Sequence, residues 1–218
     1  MRKNIARLLE VKGALAENEV KELLRSYMIP TTVFTTIKSK EDIERLKVKY
    51  PVALKICSRS ILHKTDVGGV KLNIRDKSEL LKTFDKFEKK FPGETFLVDE
   101  MAEKGVEMII GLVQDPTFGL SIMCGVGGIY TELYQDVAFR VVPIDEYDAR
   151  EMLEEVKGKK LLEGFRNMKA NKELFIELLL KISKLGEELI DHIDQMDINP
   201  VFVYKDDVCV VDAKLILK

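Results

Sequence analysis

Tryptophan is absent from this chain of 218 residues, and histidine occurs only twice, at His63 and His192. Cysteine is nearly as scarce. Cys57, Cys124 and Cys209 are odd in number, far apart in sequence and free of any Cys-x-x-Cys pairing. That excludes a disulfide framework and a zinc knuckle, and it favours reduced thiols in a cytoplasmic setting. Charge of one sign is lacking too. Lys plus Arg number 35 against 37 Asp plus Glu, for a net charge of -2. There is no basic excess of the kind a nucleic-acid footprint requires, so no nucleic-acid partner is expected. No apolar run reaches the roughly 18 residues that a membrane span needs. The start, Met-Arg-Lys-Asn-Ile, is basic but no long apolar stretch follows it, so neither a signal peptide nor a membrane association is expected.

What is present reads as a charge-rich α+β protein. Val20, Leu23, Leu24 and Met28 recur at helical spacing and predict a helix over Glu17–Tyr27. Thr31–Ile37 predicts a strand. Ser39 with Asp42 forms a capping box that opens a helix expected to run to Tyr50, ahead of Pro51. Strands follow at Val52–Cys57 and Val70–Ile74, then a charged amphipathic helix at Ser78–Lys90. Four more strands are expected at Thr95–Val98, Val106–Val113, Leu120–Cys124 and Ala138–Pro143. Helices at Asp145–Val156 and Glu173–Ile193 come next. A hairpin of Val201–Tyr204 with Val208–Asp212 closes the chain. Pro92-Gly93 marks a soft boundary between two α+β lobes, residues 1–93 and 94–218, with the space between them as the default site.

Three constellations carry chemistry. In VALKICSRSILHKTDVGGVKL, Val52–Leu72, Lys55 interrupts an apolar strand. Burying an unpartnered ammonium is costly. Lys55 is therefore either an edge-strand lysine reaching water or a cation set against an anion. The loop after it holds His63, Lys64 and then Gly68-Gly69. Paired glycines let a backbone approach a ligand and present amides to phosphate. This is not the P-loop pattern, because strands flank the loop rather than a helix. An imidazole in such a loop can accept a phosphoryl group and split one transfer into two. His192, at the expected end of the long helix, reads instead as a residue placed favourably on the helix dipole.

The second constellation is Asp197-Ile198-Asn199-Pro200 with Asp212-Ala213-Lys214. Asn199 and Asp212 offer the oxygen donors that magnesium takes alongside substrate phosphates. The same residues also read as a plain helix-to-strand turn. The third is Glu100, Glu107 and the run Gly125-Val126-Gly127-Gly128. That run does not open a helix, so it is no dinucleotide fingerprint. Glu132 has no reading by itself.

Together these segments resemble a known family. LKICSRSILHKTDVGGVKLNI, GVEMIIGLVQDPTFGLSIMCGVGGIYTEL, DVAFRVVPI, LLEGFR, DINPVFVY and VVDAKLIL, in this order, resemble the beta subunit of ADP-forming (NDP-forming) acetyl-CoA synthetase. The likeness runs from about Leu15 to Leu217, with a more distant one to succinyl-CoA synthetase beta subunits. It implies an ATP-grasp fold of two α+β lobes with the nucleotide cleft between them. It implies an acid–thiol ligase that uses ATP/ADP and Mg2+ and needs a CoA-binding alpha subunit, as an alpha2beta2 heterotetramer. By the same resemblance Lys55 contacts the nucleotide phosphates and Gly68 and Gly69 belong to the phosphate-covering loop. Glu100 lies on the hinge strand beside adenine, and Glu107 is an acidic nucleotide contact. Asn199 and Asp212 bind magnesium, and His63 relays the phosphoryl group. Asn167 stands where the family commonly has glycine, and Cys57 replaces an aliphatic or small residue. Two other readings compete. One is an ATP-grasp carboxylate ligase working through an acyl phosphate, which gives His63 no task. The other is a non-catalytic nucleotide-sensing module.

Overall fold

The computed structural model describes residues 7–128, 136–164 and 170–218. Glu132, Asn167 and the ends of the GVGGIYTEL and LLEGFR segments lie outside these residues. The chain forms two compact units. One comprises Ala16–Glu19 and Thr32–Glu103, the other Met1–Leu15, Val20–Thr31 and Lys104–Lys218.

The smaller unit is built on a four-stranded antiparallel sheet. Its strands are β2 (Phe34–Ile37), β3 (Val52–Cys57), β4 (Val70–Ile74) and β5 (Thr95–Glu100), in the order β2-β5-β3-β4. The expected division at residue 93 falls inside this unit, because β5 pairs with both β2 and β3 and is one of its two inner strands. All six residues of β3 are buried. Helix α3 (Lys77–Lys90) lays Leu80, Phe84 and Phe87 on the core, where Phe84 meets Phe96 edge to face at 5.5 Å. Helix α2 (Lys40–Arg45) keeps the expected Ser39–Asp42 capping box but stops well short of Tyr50. Leu46, Val48 and Tyr50 all pack on this core. A spacing of two needs extended chain, so tertiary packing overrides the helical reading there.

The larger unit holds a seven-stranded antiparallel sheet. Five of its strands run β1 (Gly13–Ala14), β11 (Ala213–Leu217), β9 (Ile193–Val203), β6 (Val106–Asp115) and β7 (Gly119–Val126). Strand β8 (Val137–Val141) ends this row beyond β7, and β10 (Val208–Val210) pairs with β9 off it. Helix α1 (Glu17–Ser26) begins in the smaller unit and contributes Val20, Leu23 and Leu24 to this core. Helices α4 (Glu146–Glu155) and α5 (Lys172–Glu188) also contribute to it. Phe175, Ile176, Leu179 and Ile182 of α5 are buried, each worth about 1.5–3 kcal/mol of transfer free energy. Gly186 lets this helix lie close on the sheet, since a Cβ there would stand 3.2 Å from Leu112 and Leu120.

Two expectations change in this unit. Helix α5 ends at Glu188, and Ile193 already begins β9, so His192 sits in the exposed turn between them. Strand β11 was not expected as a separate element. It alternates buried and half-buried side chains and pairs along β9.

Candidate functional site

In the smaller unit, β3 carries Lys55 into the interior. Its side chain is 5% exposed, and its ammonium lies 2.7 Å from Glu17 Oε1 and 2.9 Å from Asp99 Oδ2. The edge-strand reading is therefore set aside. Lys55 is a buried cation compensated by carboxylates, as burial of charge demands. Glu17 opens α1, where a carboxylate is favoured by the helix dipole. Its second oxygen pairs with Lys64, the residue after His63. Neither Glu17 nor Asp99 was picked out from the sequence. The available signal was Asp99, a charged residue directly after the apolar run Phe96–Val98, on the strand that pairs with the one carrying Lys55.

The loop leaving β3 is held at two points on the first turn of α1. Arg59 makes a two-pronged contact with Glu19, with its Nε donating to Oε2 at 2.9 Å, and Lys64 reaches Glu17. Between these points the His63 side chain is exposed. The glycines serve the loop itself. Gly68 has φ of +61°, a conformation that favours glycine. A Cβ on Gly69 would stand 2.6 Å from the Ile56 side chain. Their N–H groups donate to the Thr65 and Lys64 carbonyls at 2.9 and 2.7 Å. These two amides are thus engaged within the loop and are not held out to an anion, which corrects that part of the sequence reading. Glu100 ends β5, and its carboxylate accepts the Lys49 backbone N–H at 2.9 Å.

In the larger unit, Asp197, Asn199 and Pro200 lie within β9 rather than in a helix-to-strand turn. The β6 ladder slips here. Met108 pairs with Val201 and Ile110 with Ile198, so Asn199 and Pro200 bulge out of register. Proline has no N–H to give a ladder, and a bulge re-aims the side chain beside it. Asn199 Oδ1 accepts the Gly128 N–H at 2.9 Å, and the Asn199 N–H donates to the Asp212 carbonyl at 3.2 Å. The bulge thus brings the glycine run and the Asp212 segment to one place. Glu107 joins them. Its carbonyl accepts the Gly127 N–H at 2.9 Å, and a Cβ on Gly128 would fall on its carboxylate.

Burial raises the Asp197 carboxyl above its ordinary range, the charge of Asp212 adds to that, and Lys214 partly offsets it. A shallow recess of about 230 Å3 on the sheet is lined by Ile109, Met123, Phe139, Met196 and Asp197. A larger one, beside Tyr50 and Arg75, holds none of the candidate residues.

Magnesium binds few protein oxygens and completes its shell with water and substrate phosphate. The residues present fit it. Asn199 Oδ1 accepts one hydrogen bond and keeps a second lone pair, and the Asp212 backbone carbonyl accepts the Asn199 N–H, which sets the two residues side by side. Among the described residues, no three His, Cys, Asp or Glu side chains converge into a closed metal cage.

The family model for the ATP-grasp domain matches residues 7–217. The chain belongs to the ATP-grasp family. The beta subunit of ADP-forming acetate–CoA ligase II from Pyrococcus furiosus is 40% identical to this ATP-grasp chain, over 97% of it and 94% of the relative. Its fold matches solved structures of the dinucleotide-forming acetyl-coenzyme A synthetase 1 of Ca. Korarchaeum cryptofilum. A complex with coenzyme A and Ca-AMPCP matches at TM-score 0.87 and 41% identity, over 94% of each chain. Another holds coenzyme A and Mg-AMPPCP, with a phosphohistidine segment pointing towards the nucleotide site. It matches at TM-score 0.81 and 41% identity, over 94% of this chain and 93% of that one. No helix among the described residues of this ATP-grasp chain is long and apolar enough to cross a membrane.

Proposed function

We propose that this chain is the nucleotide-binding beta subunit of an ADP-forming acetyl/acyl-CoA synthetase. With a CoA-binding alpha subunit, in an alpha2beta2 assembly in the cytoplasm, it converts acyl-CoA, ADP and phosphate to acid, ATP and CoA through a phosphohistidine relay. The observation that carries this reading is the near end-to-end match to a beta subunit of that activity, joined to an exposed His63 on a loop anchored beside two lysines.

In this reading one nitrogen of His63 holds the phosphoryl group. In the synthetic direction a terminal oxygen of ADP attacks phosphorus, the P–N bond breaks, and the imidazole leaves as a neutral ring after taking a proton. In reverse, His63 attacks the γ-phosphorus of ATP, the bond to ADP breaks, and the ring N–H proton passes to water. Catalysis of this kind rests on positioning and charge compensation. Lys55 faces the nucleotide phosphates. Gly68 and Gly69 shape the loop that covers them, Glu100 lies beside the base, and Glu107 makes an acidic nucleotide contact. Asn199 and Asp212 hold magnesium, which when bound neutralises phosphate charge.

The test uses the reverse half-reaction, because it needs only the chain, magnesium and γ-labelled ATP. Acid-labile, base-stable label is expected on the wild type and none on His63→Ala, with ADP chasing the label back into ATP. Label that survives in His63→Ala, or a wild type that binds ATP tightly and takes no label, refutes the relay and favours the carboxylate-ligase reading.

A further inference from the structure

The two anchors of the His63 loop are unequal. Arg59 with Glu19 lies toward solvent, with side-chain exposures of 49% and 19%, where an ion pair contributes little. Glu17 is 2% exposed and Lys64 15%. The Glu17 carboxylate divides its oxygens, with Oε1 on Lys55 from β3 and Oε2 on Lys64 from the loop. Lys55 has Asp99 as a further counter-ion at 2.9 Å. Charge compensation of Lys55 therefore does not rest on Glu17 alone. Glu17 is where the loop is drawn in, at the residue bonded directly to His63. The Lys64 carbonyl also accepts the Gly69 N–H at 2.7 Å, so the same residue ties the loop's two ends together.

We propose that Glu17 is a positioning residue for phosphoryl transfer. By holding the Lys64 ammonium inside the small unit, it sets where the backbone presents His63. This rests on the relay reading above and adds to it a residue that touches neither phosphorus nor nucleotide. The magnitude follows from geometry, since a displacement of about 1 Å in a reacting group costs up to about a hundredfold in rate. Glu17→Gln keeps the volume and removes the charge that Lys64 needs. Lys55 meanwhile keeps Asp99 and faces one competing carboxylate fewer.

The experiment measures two quantities on the full chain. One is the single-turnover rate of His63 labelling from saturating γ-labelled ATP with magnesium, and the other is the dissociation constant for ATP. Glu17→Gln is expected to slow labelling by about tenfold to a hundredfold, with ATP bound as tightly as by the wild type or more so. Lys64→Met, at a more exposed position, provides a second route should Glu17→Gln fail to fold, and is expected to show the same slowing. The double variant should label about as slowly as the single ones, because each single change already breaks the Glu17–Lys64 contact. Lys64→Arg, which restores the charge, should recover most of the rate.

Labelling at the wild-type rate in Glu17→Gln and Lys64→Met overturns the proposal. Weakened ATP binding with the saturated labelling rate unchanged also overturns it, because that is the behaviour of a residue acting through Lys55. A wild type that takes no label at all refutes the relay reading itself, and this inference with it.

Discussion

The buried charges around Lys55 permit a stability prediction in which two similar substitutions have different costs. Lys55 is 5% exposed and lies between Glu17 and Asp99, themselves 2% and 3% exposed. Lys55→Met removes the cation common to both carboxylates. Breaking such a buried pair on one side costs about 3–5 kcal/mol, because charge is left in a low-dielectric interior. For a chain of this size, that lowers the melting temperature by roughly 6–20 °C. Lys64 is three times as exposed, and its loss leaves Glu17 with Lys55. Lys64→Met should therefore cost about 1.5–3 kcal/mol, the worth of a hydrogen bond to a charged group. The double variant takes the Lys55 and Lys64 ammoniums from Glu17 and should lose more than the sum of the single changes. Urea denaturation of the four proteins, followed by far-UV circular dichroism, measures all of this. The reasoning fails if Lys64→Met is as damaging as Lys55→Met, or if the double variant is merely additive.

Asp197→Asn is expected to stabilise the protein at pH 7. Burial and Asp212 raise the native carboxyl above its ordinary range. The native state thus holds that proton to higher pH than the unfolded chain, and the stability it confers is lost as pH rises through the raised value. Urea midpoints from pH 3 to 8 should show the variant's advantage at neutral pH shrinking toward acid, whereas a less stable variant at pH 7 contradicts the account. Gly127→Ala would drive its Cβ into the Met108 backbone, so it should displace Gly128 from Asn199 and weaken magnesium-dependent ATP binding, read by calorimetry with and without the metal. Unchanged binding would separate the glycine run from the metal site. Burial pushes the Cys124 thiol up to about 12, so a thiol reagent at pH 8 should modify it only after unfolding. Leu179→Ala, at a fully buried position of α5, should cost about 2–5 kcal/mol, read from the shift in urea midpoint.

Much of the fold was legible because its signals are local. Val52–Cys57 and Val70–Ile74 form strands with the expected limits, and the Ser39–Asp42 capping box is present as read. Periodicity and caps act over a few residues, so one stretch of sequence contains the whole argument. The reading failed where partners far along the chain decide. Tertiary packing holds Leu46–Tyr50 extended against a helical start, and β11 becomes a strand through its pairing with β9.

The sites divide in the same way. The residue types at Lys55, His63, Asn199 and Asp212 stand in the sequence, and their order along nearly the whole chain carries the family resemblance that the ATP-grasp match bears out. By itself the sequence determined that the protein is α+β, charge-balanced and a member of this family. Only the tertiary structure decided that Lys55 is buried against Glu17, 38 residues away, and that Asn199 meets Gly128 across 71 residues. It also showed that the Gly68 and Gly69 amides close their own loop. The physical reason is the desolvation of charge. A buried ammonium needs a compensating partner, but which one the chain supplies depends on what the packed sheet and the first turn of α1 bring within hydrogen-bonding distance.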